Sequence, residues 1–149
     1  MTEIRYATNE DVPILMEMIQ EAHKESPRYS RLSFNFHKVL ELFYSLIVND
    51  PGFAIVAERD GQIIGFMIGF CAPYWGSDDL VASDILVYIT PKYRGGSSAK
   101  KMVEAFIAWA KEKGAILIQL GVSTGIHTER TVSLYESLGL KRYSIGLEV

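Results

Sequence analysis

The chain has 149 residues, 48% of them hydrophobic and 22% charged, with a formal net charge of −3. This is the make-up of one globular domain, spanning residues 1–149, that can bury its own core without staples, and it excludes a disordered chain. The single cysteine, Cys71, excludes an intramolecular disulfide and a cysteine zinc cluster, and the slightly acidic balance leaves no footprint for nucleic acid or an anionic membrane.

The first residues are polar and charged and no apolar run reaches transmembrane length, so a soluble, cytoplasmic protein is expected. Ile4-Arg5-Tyr6-Ala7 reads as a short strand. Thr8 with Asp11 three residues on resembles a capping box, and Pro13 places the start of a helix near Asp11. Ile14, Leu15, Met18, Ile19 and Ala22 share one face of that helix, which Pro27 ends. Residues 25–35 form a polar loop with scattered aromatics. Phe36, Val39, Leu40, Phe43 and Ile47 then make a second amphipathic helix, stopped by Asn49-Asp50-Pro51-Gly52.

Residues 53–58 and 63–70 are apolar and β-prone, and Asp60-Gly61 between them is a hairpin signal. Gly65 and Gly69 in the return strand predict a bulge or a close backbone approach. A loop over 72–80, with Tyr74 and Trp75 at its start, leads to a strand over 81–89 whose run Ile85-Leu86-Val87-Tyr88-Ile89 is too short for a typical helix. Pro91 ends it because its nitrogen has no hydrogen for a ladder. A helix over 97–113 with Ala99, Met102, Val103, Phe106 and Ala110 on one face stops at Gly114. The strand 115–122 follows, so strand–helix–strand implies a parallel pair. A short helix over 129–138 ends at Gly139, and residues 141–149 supply a final strand or hairpin.

The turn Pro91-Lys92-Tyr93-Arg94-Gly95-Gly96-Ser97-Ser98-Ala99 has the composition of a pyrophosphate cradle. Gly95 and Gly96 admit positive φ and close approach to bare backbone. Ser97 and Ser98 open a helix whose unpaired N–H groups attract an anion, and Arg94 is a planar, permanently charged donor suited to phosphate. The plainer reading is an ordinary strand-to-helix turn with a surface arginine. Neither a Walker A loop nor a G-x-G-x-x-G dinucleotide fingerprint is present.

Arg94-Gly95-Gly96-Ser97-Ser98-Ala99 resembles the acyl-CoA signature [Q/R]-x-x-G-x-[G/A] of the GNAT superfamily of N-acetyltransferases, with Ser97 where that pattern has its first glycine. Ile89-Thr90-Pro91-Lys92-Tyr93 is similar to the family's approach to the signature. Ser133-Leu134-Tyr135-Glu136-Ser137-Leu138-Gly139-Leu140 is similar to its L-Y-E-x-L-G-F segment, with Thr128 and Thr131 at the positions of its usual N-x-x-A. The hairpin 56–65 resembles its V-A-E-x-D-G-x-I-V-G run. The element order β-α-α-β-β-β-α-β-α-β matches the mixed α/β sheet of that fold along essentially the whole chain.

The resemblance implies direct transfer of an acetyl group from acetyl-CoA to a primary amine, on a small molecule, an antibiotic-like compound or a peptide. It implies that the two parallel strands splay, that backbone groups around Val87, Tyr88 and Ile89 pair with the pantetheine arm, and that Arg94, Gly95, Gly96, Ser97, Ser98, Ala99 and Lys100 hold the pyrophosphate, with Thr128 beside the cofactor. Tyr135 matches the family's tyrosine acid, and Asp84 lies near its usual carboxylate, with Ser83 a weaker substitute in a relay. Asp84 as a cap or ion-pair partner is an equal reading. A non-catalytic acyl-CoA-binding module of the same fold is the alternative function. Dimerisation is common in the family, though no patch in this sequence establishes it. His23, His37 and His127 lack metal-ligand spacing, Cys71 reads as a small buried hydrophobe, Tyr74 and Trp75 as packing in a loop that could border the acceptor site, and Glu21, Glu25 and Asp78 as solvated charges able to attract a cationic amine.

Overall fold

A computed structural model describes residues 1–50 and 52–149. Its elements run β1 (Thr2–Tyr6), α1 (Val12–Glu25), α2 (Phe36–Val48), β2 (Gly52–Arg59), β3 (Gln62–Pro73), β4 (Leu80–Ile89), α3 (Ser98–Glu112), β5 (Leu117–Gln119) and α4 (Thr128–Ser137), with single 3₁₀ turns before α1, α2 and α3. Pro51, part of the stop expected after α2, lies outside the described residues.

One five-stranded sheet in the order β1-β2-β3-β4-β5 organises the chain. The first four strands are antiparallel, and β4 and β5 are parallel. Alternation along β2 and β3 sorts side chains onto two faces, as the two-residue period of a strand requires. Phe53, Ile55, Ala57, Ile64 and Met67 meet Met102, Val103, Phe106, Trp109 and Ala110 of α3 and Tyr135 of α4. Ala54, Val56, Phe66 and Ile68 meet Leu15, Met16 and Met18 of α1 and Phe43 and Leu46 of α2. Both faces are therefore covered, and the sheet forms the middle layer of three. Among the described residues no helix is long and apolar enough to cross a membrane.

Local chemistry accounts for the boundaries. Asp60 and Gly61 turn the β2–β3 hairpin with φ of 52° and 75°, the left-handed pair that a two-residue hairpin needs. The Asp11 carboxylate accepts the Thr8 N–H at 2.7 Å, the reciprocal half of the predicted capping box. Asn35 caps α2 by accepting the Lys38 N–H. At the end of α4, the Gly139 N–H donates to the Glu136 carbonyl and the Leu140 N–H to the Tyr135 carbonyl, a Schellman stop.

Two expectations are corrected. The strand predicted over 115–122 pairs with β4 only at Val81↔Leu117, Ala82↔Ile118 and Ser83↔Gln119. Residues 141–149 form no strand at all. Their alternating Tyr143, Ile145, Leu147 and Val149 are exposed, while Glu148 is drawn to Arg28 at 3.0 Å and to Arg31 at 3.6 Å. A strand exists only as part of a ladder, and a three-residue β5 offers too short an edge for one to form.

Candidate active site

Because β5 leaves β4 after Ser83, the outer edge of β4 from Asp84 to Ile89 is open and a notch splits the sheet. A bulge marks the point of departure. Ile68 pairs with Leu86 and Gly69 with Asp84, so Ile85 is the extra residue, and it is 39% exposed. Such a bulge bends its strand and re-aims the side chains beside it. Gly69 accommodates the bend. A Cβ there would stand 2.8 Å from both Phe106 Cε1 and the Ser83 carbonyl, the close approach predicted for this glycine.

The backbone above the bulge offers a free edge. The Thr90 N–H donates to the Ile64 carbonyl at 2.9 Å, which fixes the alternation: Thr90 and Tyr88 address β3, while Val87 and Ile89 turn their N–H and C=O groups into the notch. Below it, Ser83 Oγ accepts from Gln119 Nε2 at 2.9 Å, and Asp84 Oδ1 accepts the Gly121 N–H at 3.0 Å across the split. Asp84 is thus the side chain that ties the last contact between β4 and the segment after β5.

Asp84 lies on the same face as Ala82, the face covered by α3 and α4, and Tyr135 of α4 is buried in that core at 7% exposure. Burial pushes the Asp84 carboxyl up to about 6, opposed by its hydrogen bond from Gly121. Burial, reinforced by the Asp84 charge, pushes the Tyr135 phenol well above its ordinary value. A carboxylate that is mostly ionised at neutral pH thus shares a sheet face with a phenol that keeps its proton.

At the other end of the notch, Gly95 has φ of 92° and open space where a Cβ would stand, and Gly96 and Ser97 are exposed. Ser97 caps nothing with its side chain, so the first N–H groups of the 15-residue α3 lack a side-chain partner. Ser98 is 4% exposed, and its hydroxyl faces Thr2 Oγ1 at 3.3 Å, leaving only its backbone for a ligand. Ala99 is half-buried, Lys100 is exposed, and Thr128 opens α4 as an exposed residue.

Arg94, the first residue of the signature, has partners within the chain. Its Nε donates to the Ile89 carbonyl at 2.7 Å and its two terminal nitrogens grip the Glu25 carboxylate, with Nη2 at 2.7 Å from Oε1. Its guanidinium lies over the Tyr88 ring, 5.4 Å from the centroid. The arginine is already engaged, and so is one of the two Ile89 groups facing the notch. Glu25 is accordingly no solvated charge: Arg94 holds its carboxyl below the usual carboxylate range. Sequence reasoning missed this pair, 69 residues apart. The one local signal was a carboxylate in the last turn of α1, where the helix dipole opposes it.

The remaining candidates separate cleanly. Cys71 is 1% exposed and packs as expected. Trp75 is 90% exposed and stands against Tyr74, ring centroids 5.0 Å apart, so the β3–β4 loop carries an aromatic pair outside the core, contrary to the packing expectation. Two cavities lie elsewhere. One of about 320 Å³ sits between α3, β5 and the C-terminal residues, and one of about 710 Å³ lies beside α1 and the β2–β3 turn; neither is lined by Asp84 or Tyr135.

The mixed sheet is thus split between its parallel strands, and its free strand edge leads to a helix N-terminus without a side-chain cap, an arrangement able to take an extended, anionic ligand. The profile of the acetyltransferase (GNAT) family matches residues 16–140, and the chain belongs to that family. It is 26% identical to the uncharacterised N-acetyltransferase YjgM of Escherichia coli K12, over 96% of this chain and 85% of that one. It is 27% identical to an uncharacterised N-acetyltransferase of Archaeoglobus fulgidus, over 97% and 96% of the two chains. Its fold is similar to that of aminoglycoside N-acetyltransferase AAC(6')-Iy solved with CoA, with a TM-score of 0.79 at 16% identity, covering 100% of this chain and 93% of the other. The protein is an acetyl-CoA-dependent N-acetyltransferase.

Proposed function

We propose that acetyl transfer takes place at the head of the notch, with Asp84 as general base and Tyr135 as general acid, and that the acceptor is a primary amine. The observation that carries this reading is a carboxylate and a buried phenol on one face of the sheet, the phenol within reach of the Asp84 charge, just where β4 bulges. When bound, acetyl-CoA supplies a thioester carbonyl carbon open to attack by an amine. The free backbone groups of Val87 and the Ile89 N–H suit its amide-bearing pantetheine arm, and the unpartnered N–H groups from Gly95 to Lys100 suit its pyrophosphate.

Two proton transfers fall to this chain. An amine with a lysine-like pKa of about 10.4 costs roughly 4–5 kcal/mol to hold neutral at pH 7. Asp84, at about 6, is ionised at that pH yet basic enough to take the proton, directly or through water. Tyr135 keeps its proton at Oη and stands as donor to the leaving sulfur. The two are coupled, because the Asp84 charge is one cause of the high Tyr135 value. Once Asp84 is protonated that charge is gone, so the phenol becomes a better acid at the stage when a donor is needed.

The acceptor approaches past residues 26–35 and the loop carrying Tyr74, Trp75 and Asp78. These offer aromatic faces and carboxylates, which suit a cationic amine before it gives up its proton. AAC(6')-Iy, named for aminoglycosides, supports keeping that class beside peptide N-termini and lysines. A cytoplasmic setting belongs to the same reading, since the sole cysteine is a buried free thiol.

The test is calorimetry with acetyl-CoA, followed by a screen of amines. Wild-type protein is expected to bind in the micromolar range. Gly96→Asp should weaken binding more than tenfold while leaving thermal stability equal or slightly higher, since a carboxylate favours a helix N-terminus but repels a pyrophosphate. Tyr135→Phe should keep the affinity and lose turnover about a hundredfold. Absence of binding by the wild type overturns the proposal.

A further inference from the structure

The segment leaving α1 is anchored on both lips of the notch. On the β4 lip, Glu25 grips Arg94, which is itself fixed to β4 through the Ile89 carbonyl and the Tyr88 ring. On the opposite lip, the Ser26 hydroxyl donates to the Thr124 carbonyl at 2.7 Å and accepts the Tyr29 N–H at 3.0 Å. Ser26 is 1% exposed, so both bonds are shielded from water. A third tie joins Tyr29 Oη to Ser123 Oγ at 2.7 Å. The residues flanking the acceptor side thus bridge the cofactor turn after β4 and the loop between β5 and α4.

We infer that Glu25 and Ser26 are positioning residues that clamp this segment across the mouth of the notch, Glu25 through Arg94 and Ser26 through Thr124. The clamp rests on the acetyltransferase reading only for what it positions: pyrophosphate turn and acceptor loop are held in one frame, so the thioester and the amine meet at a fixed distance. Two features favour a positioning role over simple competition for Arg94. The guanidinium is held from three directions, by a carbonyl, a carboxylate and an aromatic face, and a bidentate pair of this kind is directional as well as strong. Further, a carboxylate at the C-terminus of α1 opposes the helix dipole, so α1 gains nothing from it by itself. Pyrophosphate is left to the backbone N–H groups, whose geometry depends on where Arg94 is held.

The experiment is a double-mutant cycle in Glu25→Ala and Arg94→Ala, read by acetyl-CoA affinity and by amide hydrogen exchange of the ligand-free chain. Each single variant should weaken binding about tenfold, the double variant should be no weaker than the worse single, and Glu25→Asp should recover most of the loss. Amides of residues 26–31 should exchange about tenfold faster in Glu25→Ala and in Ser26→Ala, with the exchange of β2 and β3 unchanged. Tighter acetyl-CoA binding by Glu25→Ala would show a competitor rather than a clamp and overturn the inference, as would additive losses in the cycle or unaltered exchange. If the wild type binds no acetyl-CoA, the functional reading fails, and the exchange measurement still decides whether the segment is clamped.

Discussion

Asp84 is the single residue on which the proposed chemistry most depends. Its carboxyl, pushed up to about 6 from 3.8, is disfavoured in its ionised form by the fold itself. Since the folded value lies above the unfolded one, the folded chain binds more protons between them, and stability falls as pH rises from about 4 to about 6 and stays lower above that. Asp84→Asn keeps an oxygen for the Gly121 N–H and removes the charge. The variant should therefore be more stable at pH 8, by up to about 3 kcal/mol at 1.36 kcal/mol per unit, and equal in stability at pH 3. Turnover should fall by about 10²–10⁴-fold with acetyl-CoA affinity kept. Denaturant melts at the two pH values check the first part, and the acidic limb of kcat/KM in the wild type, expected near pH 6, checks the second. A variant that is inactive and also less stable at pH 8 would assign Asp84 to structure alone.

The decisive element is β4. Its sequence reads as an ordinary buried strand, yet its register slips by one residue at Ile85, and this slip separates a paired lower half from an upper half with free backbone. Gly69 on β3 was legible as a position of close approach, because an interior glycine costs a strand stability unless a neighbour needs the space. Gly69→Ala should destabilise the protein by about 1–3 kcal/mol, as overpacking does, since neither the Ser83 backbone nor the core ring of Phe106 can yield without a shift. Urea titration measures it, and a loss under 0.5 kcal/mol would mean that the bulge relaxes freely. Likewise α4 was legible from its apolar positions and the glycine after it, and the Schellman bonds that stop it use the Tyr135 carbonyl itself, so the helix end and the placement of the phenol are one feature. The last nine residues had the alternation of a strand and formed none. Alternation records which side chains could share a face, and a ladder needs a partner edge besides.

At the scale of the molecule, Arg5 joins three elements. Its guanidinium reaches Asp11 at 2.8 Å and Glu58 at 2.7 Å, tying β1 to β2 and to the start of α1. It holds the Asp11 carboxyl below its ordinary value. A depressed carboxyl contributes stability above its unfolded pKa and loses it as pH falls, so Arg5→Ala should cost about 1–2 kcal/mol at pH 7 and less at pH 3, below the unfolded value of Asp11, where part of that contribution is gone. Melting curves of both proteins at the two pH values test this, and a penalty independent of pH would point to lost packing instead.

Helices, hairpin and strands β1 to β4 followed from the sequence, because apolar period, capping residues and turn glycines are local and act within a few residues of themselves. The glycine turn after β4 and the helix end at Tyr135 were likewise visible as short ordered motifs. What only the tertiary structure decided were the length of β5, the bulge, the value of Asp84 and the partner of Arg94. Each depends on groups far apart in the chain, on the low dielectric that exists only once the core has closed, and on competition for a single guanidinium among acceptors that no local pattern ranks.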